Sequence, residues 1–447
     1  MHLLKKKLRN LESQLLSNFN QKTMTKDRLI SLDVFRGLTI LLMTIVNNPG
    51  SWAAIYPPLE HAAWHGCTPT DLVFPFFIFI MGVAISFAMP TKSYDNTTFN
   101  KIFTRSLRMI CLGIFFNFFS SIQLFGLEGI PLLIARLLIT ALVGYALMGD
   151  FTARVKTYLA ISIFIIYMVL AYSGIEAYQS VRLPGVLQRI GIVYFIASLL
   201  YLKTTQRTQL LVTVSLLLGY WAIMTLIPAP GFEITNLEKG TNLAALVDNA
   251  LLKGHMWEST KTWDPEGILS TIPAIAEGII GLLIGQLLND SKLLKSQKAK
   301  QMLLIGLALI IVGQIWNVVF PINKALWTSS YVLYTTGLAT LTLSILYYLI
   351  DIADYKKGTR LFLIWGVNPM IVFFLSQIIP QAMGMISLSN PKIPTEQTNL
   401  WDYLYFLAVE PYFTNPMTAS LVFALLYVGF WSIVLAYFYK NKMYFKV

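Results

Sequence analysis

The sequence predicts an all-α, polytopic membrane protein: a helical bundle of about 12 transmembrane helices with both termini in the cytoplasm. Of its 447 residues, 56% are hydrophobic and only 13% are charged, and the mean hydropathy is +0.62. A soluble protein of this length would carry about twice that charged fraction. Apolar runs of about twenty residues, each long enough to cross a hydrocarbon core of ~30 Å, recur along the chain.

Polar loops separate the predicted spans. The spans cover residues 31–47, 71–90, 102–124, 131–148, 156–174, 186–202, 209–228, 268–288, 301–320, 328–350, 361–380 and 416–438. Together they make residues 31–438 a single transmembrane domain, followed by a cytoplasmic tail at 439–447.

The net charge of +12 is explained by its placement. If the N-terminus is cytoplasmic, most of the 34 lysines and arginines fall in the termini, the cytoplasmic loops or the first turns that follow them. This is the positive-inside bias, so the charge encodes orientation and we exclude nucleic acid as a partner. The lipid bilayer is the expected surrounding, in a bacterial inner (cytoplasmic) membrane, and the 48–70 loop faces outward.

Residues 1–30 form a basic cytoplasmic segment without the apolar h-region of a signal peptide. The first span is therefore predicted to be an uncleaved start-transfer helix. Leucines at helical spacing beside lysines indicate an interfacial helix on the membrane surface. An unstructured basic tail explains the same composition.

Charged side chains inside or beside spans are the next signal. Asp33 and Arg36, spaced i, i+3, either form a neutral pair at the helix end or leave Arg36 to bind an anion from the cytoplasm. Arg189 either snorkels to the interface or holds an anionic group within the bundle. Arg136 and Glu277 lie inside spans, where an ionisable group indicates function by default, but the sequence does not name their partners.

The stretch from Asn47 to Gly82 concentrates polar chemistry between two apolar runs. Thr68 suits a helix N-cap, Pro69 suits N1, and Asp71 falls at N3, as in a capping box. Pro75 cannot donate to the Asp71 carbonyl, which predicts a kink and a free acceptor near the outer face.

His61 is the leading candidate for a catalytic group. A nearby carboxylate such as Asp71 would orient its imidazole and raise its basicity, and the carboxamide of Asn47 could hold a carbonyl oxygen. His65 is the alternative within the same segment. We expect no metal, because two histidines without a third ligand make an incomplete site, and no disulfide between Cys67 and Cys111.

Two outer segments supply further polar residues. In DPEG, Asp264 fits an N-cap and Pro265 fits N1 of the eighth span. The segment 381–415, rich in proline, asparagine and aromatic residues, indicates a lid or rim. We predict an acceptor site formed by six outer residues: Trp64, Asp264, Glu266, Asn323, Lys324 and Trp327.

Several blocks occur in a recognisable order: SLDVFRG, a span ending in VNN, EHAAWHGCTPTDLVFPFFIFIMG, RLPGVLQRIGIVYF, WDPEGILSTI and FPINKALWTSSY. Together they resemble the heparan-α-glucosaminide N-acetyltransferase family of transmembrane acetyltransferases. The blocks cover most of residues 31–380, and the block from His61 to Gly82 is highly specific. The opening LDVFRG also resembles the wider membrane acyltransferase families.

The resemblance implies transfer of acetyl from cytoplasmic acetyl-CoA to the amine of a glucosamine unit across the membrane. The catalytic histidine of the family's HAxWxG block matches His61, its asparagine matches Asn47, and its DLVFP aspartate matches Asp71. The arginine of VLQR matches Arg189. We predict that the acetyl-CoA phosphates lie near basic residues: Arg36 and Arg189, with Arg105 and Arg108 as further candidates.

This sequence departs from the family's pattern in ways that concern the identity of the acceptor more than the type of reaction. We expect a bacterial-type member without the luminal domain and preceding span of the animal enzyme, and with two additional spans within 127–175. The acceptor sugar and the oligomeric state, including a homodimer, are left open. So is the choice between direct transfer to the amine, with His61 as base, and an acetyl-histidine intermediate.

Two other functions remain as alternatives. An O-acetyltransferase of envelope glycan differs only in its acceptor. A polytopic transporter for a sugar or other small solute would explain the buried charges, but such proteins usually contain two related halves, which this sequence does not show.

Overall fold

A computed structural model describes residues 29–89 and 91–445. It confirms the all-α membrane architecture: within these residues, eleven helices are long and apolar enough to cross a membrane, or twelve if one bent pair forms a single span. The interfacial helix expected within 1–30 falls almost wholly outside the described residues.

The helices follow the predicted spans to within a few residues at most ends. They are α1 (Ile30–Asn47), α2 (Val73–Ala88), α3 (Asn96–Ser121), α4 (Gly129–Met148), α5 (Ala153–Ala171), α6 (Val186–Lys203), α7 (Gln206–Leu226), α8 (Leu243–Leu252), α9 (Ile268–Asn289), α10 (Lys295–Trp316), α11 (Ser329–Tyr347), α12 (Thr359–Val367), α13 (Pro369–Gly384), α14 (Leu400–Ala408) and α15 (Pro416–Lys440). Two short strands, β1 (Ser387–Ser389) and β2 (Gln397–Asn399), pair antiparallel.

The loops that follow α1, α3, α5, α7, α10 and α13 lie on one side of the bundle, which we call the His61 face; the other side is the opposite face. The segment predicted as a lid or rim contains β1, β2 and α14, and the long loop 229–267 contains α8. These short elements cover the His61 face between the spans.

The span predicted at 361–380 is broken. Helices α12 and α13 meet at an angle of 80°, because a residue before proline is driven out of the α region, and Asn368 has φ −120° and ψ 50°. The buried Asn368 side chain then holds the chain end: its Nδ2 donates to the Met443 carbonyl and its Oδ1 accepts from the Phe445 N–H, both at 2.9 Å.

Glycines bring α2 and α9 into backbone contact. A Cβ placed on Gly82 would lie 2.2 Å from the Gly278 carbonyl oxygen, and one on Gly281 would lie 2.3 Å from the Phe79 carbonyl oxygen. Such close approach is possible only without side chains. Because both helices begin at the His61 face, this contact fixes the spacing of the loops that precede them.

The two spans predicted within 127–175 are present as α4 and α5, and their being additional to the animal enzyme stays a prediction. They pack against the edge of the bundle beside α3, with most of their surface exposed. Most of their exposed side chains are apolar, as a lipid-facing surface requires.

Candidate active site

A cavity of about 580 Å³ opens at the His61 face and extends between α1, α2, α3, α6 and α13. Its volume lies within the range of small-molecule sites in proteins. The three residues predicted to be catalytic, His61, Asn47 and Asp71, all line it. The fold therefore brings them to one cavity, and their catalytic role stays a prediction.

His61 and Asp71 form a hydrogen-bonded pair. The His61 Nδ1 lies 2.7 Å from the Asp71 Oδ1. The Asp71 side chain is 1% exposed, whereas that of His61 is 55% exposed. A buried carboxylate thus orients an accessible imidazole, which is the arrangement expected of a general base and its supporting acid.

The second oxygen of Asp71 anchors the loop. Oδ2 accepts the N–H groups of Thr68, at 3.0 Å, and of Ala62, at 3.1 Å. The predicted capping box of Thr68 and Asp71 is confirmed, but at the start of a 3₁₀ turn, Pro69–Leu72, that leads into α2. The capping role of Asp71 uses Oδ2 and leaves Oδ1 for His61, so it does not compete with the predicted catalytic role.

The backbone carbonyl of Asp71 accepts a hydrogen bond from a residue of another helix. Pro75 leaves this oxygen without its helical donor, as the sequence predicts, and the Tyr331 hydroxyl donates to it at 2.5 Å. This bond ties the start of α2 to α11 directly beneath the His61–Asp71 pair.

Lys324 completes the polar group around His61. Its Nζ lies 3.0 Å from Nδ1 and 3.2 Å from Nε2 of His61, and 3.6 Å from Asp71 Oδ1. Because an ionised carboxylate only accepts, Nδ1 carries the proton it shares with Asp71, and Lys324 donates to Nε2. Burial lowers the pKa of Lys324, while the charge of Asp71 opposes that shift.

Five carboxamides line the cavity, a feature that the sequence did not reveal. Asn47 was predicted, but the other four come from three separate helices. They are Asn117 of α3, Gln188 of α6, and Gln377 and Gln381 of α13. No local motif marks them, since only the packing of these helices brings them together.

The six residues predicted to bind the acceptor divide into two groups. Trp64, Glu266 and Lys324 line the cavity. The Trp64 indole donates to the Leu237 carbonyl at 3.0 Å and lies edge-on to Trp263, with 5.3 Å between ring centroids.

The other three, Asp264, Asn323 and Trp327, are buried behind the cavity wall. Asn323 Oδ1 accepts the Leu326 N–H at 2.9 Å. The Trp327 indole donates to Glu277 at 2.8 Å. A role in acceptor binding stays a prediction for all six, and these three do not line the cavity.

The capping role predicted for Asp264 is wrong. Helix α9 begins at Ile268, whose N–H is accepted by Asp248 of α8 at 2.9 Å. Asp264 is instead held by Arg182, whose Nε and Nη2 donate to its two oxygens at 2.8 and 2.6 Å. The sequence could not show this, because a cap from another helix leaves no local pattern.

Arg182 was also missed by the sequence reasoning. It binds Asp264 in a forked geometry, contacts Glu266, and lines the cavity. Burial lowers its pKa, but the two carboxylates outweigh that effect and raise the pKa above its ordinary value. It precedes the LPG turn, and only its position beside that block could have drawn attention to it.

The four arginines predicted to bind acetyl-CoA do not line the cavity. Arg36 pairs with Asp33 at 2.8 Å, as one interpretation of the sequence expected. Arg108 donates to the Leu147 carbonyl, and Arg105 lies 4.9 Å from the ring centroid of Tyr194.

The fourth, Arg189, is 1% exposed. It donates to Ser270 Oγ at 2.5 Å, and its guanidinium lies 4.9 Å from the Trp327 ring centroid. Cofactor binding by these four arginines stays a prediction.

The structure shows the hydrogen-bond partners of Glu277 and Arg136, the two charged residues noted inside spans. Glu277 accepts from the Trp327 indole and from the Thr335 hydroxyl, the latter at 3.0 Å. Arg136 donates to the Ile122 carbonyl at 2.9 Å. Neither residue lines the cavity. Across residues 29–89 and 91–445, no group of three or more His, Cys, Asp or Glu residues is placed to hold a metal.

Comparison with known proteins adds independent information. Residues 28–182 match a family model described as a domain of unknown function, DUF5009. Two curated relatives carry the name heparan-alpha-glucosaminide N-acetyltransferase. The Mus musculus protein is 25% identical over 94% of this chain and 61% of its own length. The Homo sapiens protein is 28% identical over 77% of this chain and 52% of its own length.

These homologues confirm the resemblance stated from the sequence blocks. They align with most of this chain, whereas the chain spans little more than half the length of each of them.

Proposed function

We propose that this protein is a membrane acetyltransferase that moves acetyl from cytoplasmic acetyl-CoA to the amine of a glucosamine-type sugar on the outer side of the membrane. The observation that carries the proposal is the His61–Asp71 pair beside Lys324, at the opening of a cavity that runs into the bundle. The names of the homologous proteins support acetyl transfer as the reaction.

The reaction requires a base for the attacking amine. As the amine nitrogen bonds to the acetyl carbon, it must lose a proton, and the thioester sulfur leaves with the electron pair of the broken C–S bond. Nε2 of His61 accepts that proton once Lys324 turns its N–H away. Asp71 keeps Nδ1 protonated and stabilises the imidazolium that forms.

The developing charge on the carbonyl oxygen requires hydrogen-bond donors. Asn47 lines the same cavity as His61, and its amide N–H is the proposed donor. The alternative route, in which Nε2 attacks first and carries the acetyl group, uses the same atom and the same supporting acid. Both routes therefore remain within the proposal.

The carboxamide-lined part of the cavity suits the donor. The pantetheine arm of acetyl-CoA is an uncharged chain with two amides, which can bond to carboxamide side chains from several directions. Arg36 and Arg105 lie toward the opposite face, where the nucleotide part of acetyl-CoA would bind. Arg189 lies at the His61 end of α6, and its burial supports a structural role as the alternative to phosphate binding.

The outer part of the cavity suits a sugar. Indole rings from Trp64, Trp257 and Trp263 form its walls, and Glu266 and Lys239 contribute charges of opposite sign. An amphipathic aromatic ring packs against the apolar face of a sugar while polar groups orient its substituents. The proposed acceptor amine is then held between Glu266 and His61.

A transporter is the second candidate, because one observation favours it. The break between α12 and α13 resembles the discontinuous helices of secondary transporters. In the part of the chain that the structure describes, however, only one such bent pair occurs, and a repeat-built transporter needs a matching pair. An O-acetyltransferase of envelope glycan remains possible on the same site, with a hydroxyl as acceptor.

The test compares two histidine variants in parallel. The purified protein is supplied with acetyl-CoA and glucosamine, and acetylated sugar is measured. His61→Ala should lower the rate about 10²–10⁴-fold for loss of a general base, and more for loss of a covalent carrier. His65→Ala is the matched control and should have a far smaller effect.

Full activity in His61→Ala, or equal losses in both variants, would mean that His61 is not the reacting group. Solute uptake without acetyl transfer in the wild-type protein would favour the transporter instead.

A further inference from the structure

A second pocket, of about 440 Å³, lies on the opposite face, far from the cavity described above. It is formed by the first turns of α12 and the last turns of α15. Its lining residues are Arg360, Ile364, Ala436, Tyr437, Tyr439 and Lys440. Nothing in the proposed reaction uses it.

The chemistry of this pocket favours an anion. Its lining includes two cations, Arg360 and Lys440, and two tyrosines, Tyr437 and Tyr439, whose hydroxyls are able to donate hydrogen bonds. Of its six described lining residues, none is acidic. The acid in the preceding loop, Asp354, pairs with Lys356 at 2.5 Å. Helix α12 also begins here, and a helix N-terminus favours negative charge.

The surface next to the pocket is apolar, which distinguishes a lipid from a free anion. Ile433 lies about one helical turn before Tyr437 on α15 and is 74% exposed, and Leu361, beside Arg360, is 44% exposed. A charged pocket that continues into exposed apolar helix surface matches a headgroup followed by acyl chains. Inorganic phosphate would use only the charged part.

The pocket is held in place by the chain end. Asn368 binds the backbone of Met443 and Phe445, and the Phe445 ring packs against Phe438 with 5.3 Å between centroids. These contacts fix the end of α15 against the junction of α12 and α13. The fold therefore holds together the two helix ends that carry Arg360 and Lys440.

We propose that this pocket binds the headgroup of an anionic phospholipid, with its phosphate between Arg360 and Lys440 and its acyl chains along Leu361 and Ile433. The lipid belongs to the leaflet at the opposite face, which the charge distribution assigns to the cytoplasm. The proposal stands independently of the acetyl-transfer reaction.

The test is lipid retention measured by native mass spectrometry. Wild-type protein is released from micelles that contain equal amounts of phosphatidylglycerol and phosphatidylcholine, and it should retain phosphatidylglycerol preferentially. The double variant Arg360→Gln, Lys440→Gln should bind phosphatidylglycerol on the order of tenfold more weakly. The matched control Lys292→Gln, Lys300→Gln removes the same charge from exposed positions on the same face and should retain the lipid as the wild type does.

Three outcomes would overturn the proposal. They are equal loss in the two double variants, equal retention of both lipids by the wild type, and displacement of the lipid by millimolar inorganic phosphate. If the double glutamine variant does not fold, the charge-preserving double variant Arg360→Lys, Lys440→Arg is measured instead. It should keep the preference for phosphatidylglycerol, and loss of that preference would contradict the proposed lipid site.

Discussion

Asp71→Asn is the substitution that tests the active-site geometry most directly. It changes one atom and one charge, and the structure determines which way the new amide must turn. Oδ2 of Asp71 accepts two backbone N–H groups, from Thr68 and Ala62, whereas Oδ1 faces only His61 and Lys324. An amide nitrogen at the Oδ2 position would face two donors, so the asparagine places its oxygen there.

Its NH₂ group then points at His61 Nδ1. A donor at that position forces Nδ1 to accept, so the ring proton moves to Nε2, the atom that has to take the proton from the amine. The variant therefore keeps the loop conformation, but it holds His61 in the tautomer whose Nε2 cannot accept a proton. We expect the rate of acetyl transfer to fall about 10²–10⁴-fold, the range for loss of general-base catalysis, with little change in acetyl-CoA affinity.

The assay measures acetylated glucosamine formed at saturating acetyl-CoA, together with acetyl-CoA binding. The matched control is Asp402→Asn. Asp402 also occupies the third position of a helix, where its N–H is accepted by Asn399 Oδ1 at 2.9 Å, and it does not line the cavity. A rate for Asp71→Asn within tenfold of the control would refute the tautomer argument, and a parallel loss of acetyl-CoA binding would show damage to the fold instead.

Three further predictions concern stability. Arg182→Ala leaves the buried Asp264 carboxylate without its forked partner and should lower the unfolding free energy by about 3–5 kcal/mol in a denaturant titration; a loss of less than about 1 kcal/mol would contradict this. Gly82→Ala places a methyl group 2.2 Å from a carbonyl oxygen of α9 and should disrupt folding, whereas Gly219→Ala, which meets no atom within 4 Å, should be tolerated; similar melting temperatures for the two would contradict the backbone contact. Burial raises the pKa of Asp248 to about 6 from 3.8, so its protonation stabilises the fold below about pH 4 and this contribution is lost as pH rises through 6. Asp248→Asn should remove that pH dependence, and an unchanged profile would place the titrating group elsewhere.

The sequence predicted those parts of the protein whose causes are local. Spans follow from the length and composition of apolar runs, and the Thr68–Asp71 cap follows from residues three positions apart. The free carbonyl at Asp71 follows from Pro75 alone. In each case the cause lies within one continuous stretch of sequence, and for the cap and the free carbonyl within about one helical turn, so spacing along the chain is a sufficient guide.

The remainder depends on pairs that only the packed bundle creates. Asp248 caps a helix that begins twenty residues later, and Arg182 meets Asp264 across 82 positions. The carboxamides Gln377 and Gln381 look like ordinary polar residues of an apolar helix until α13 turns them into the cavity. The bend at Asn368 is different, because the Asn–Pro pair was visible, but a hydropathy window averages across such a break.

The glycine contact between α2 and α9 has a consequence for how the sequence of this protein can evolve. Backbone atoms set the distance between the two helices, so the positions of Asp71 and of the loop before Ile268 do not depend on the bulk of neighbouring side chains. The long loop 229–267, which carries Trp257 and Lys239, is attached to this rigid pair rather than being part of it. Loop substitutions can therefore reshape the outer part of the cavity while leaving His61 and Asp71 aligned, so the proposed acceptor specificity can change without rebuilding the proposed reaction site.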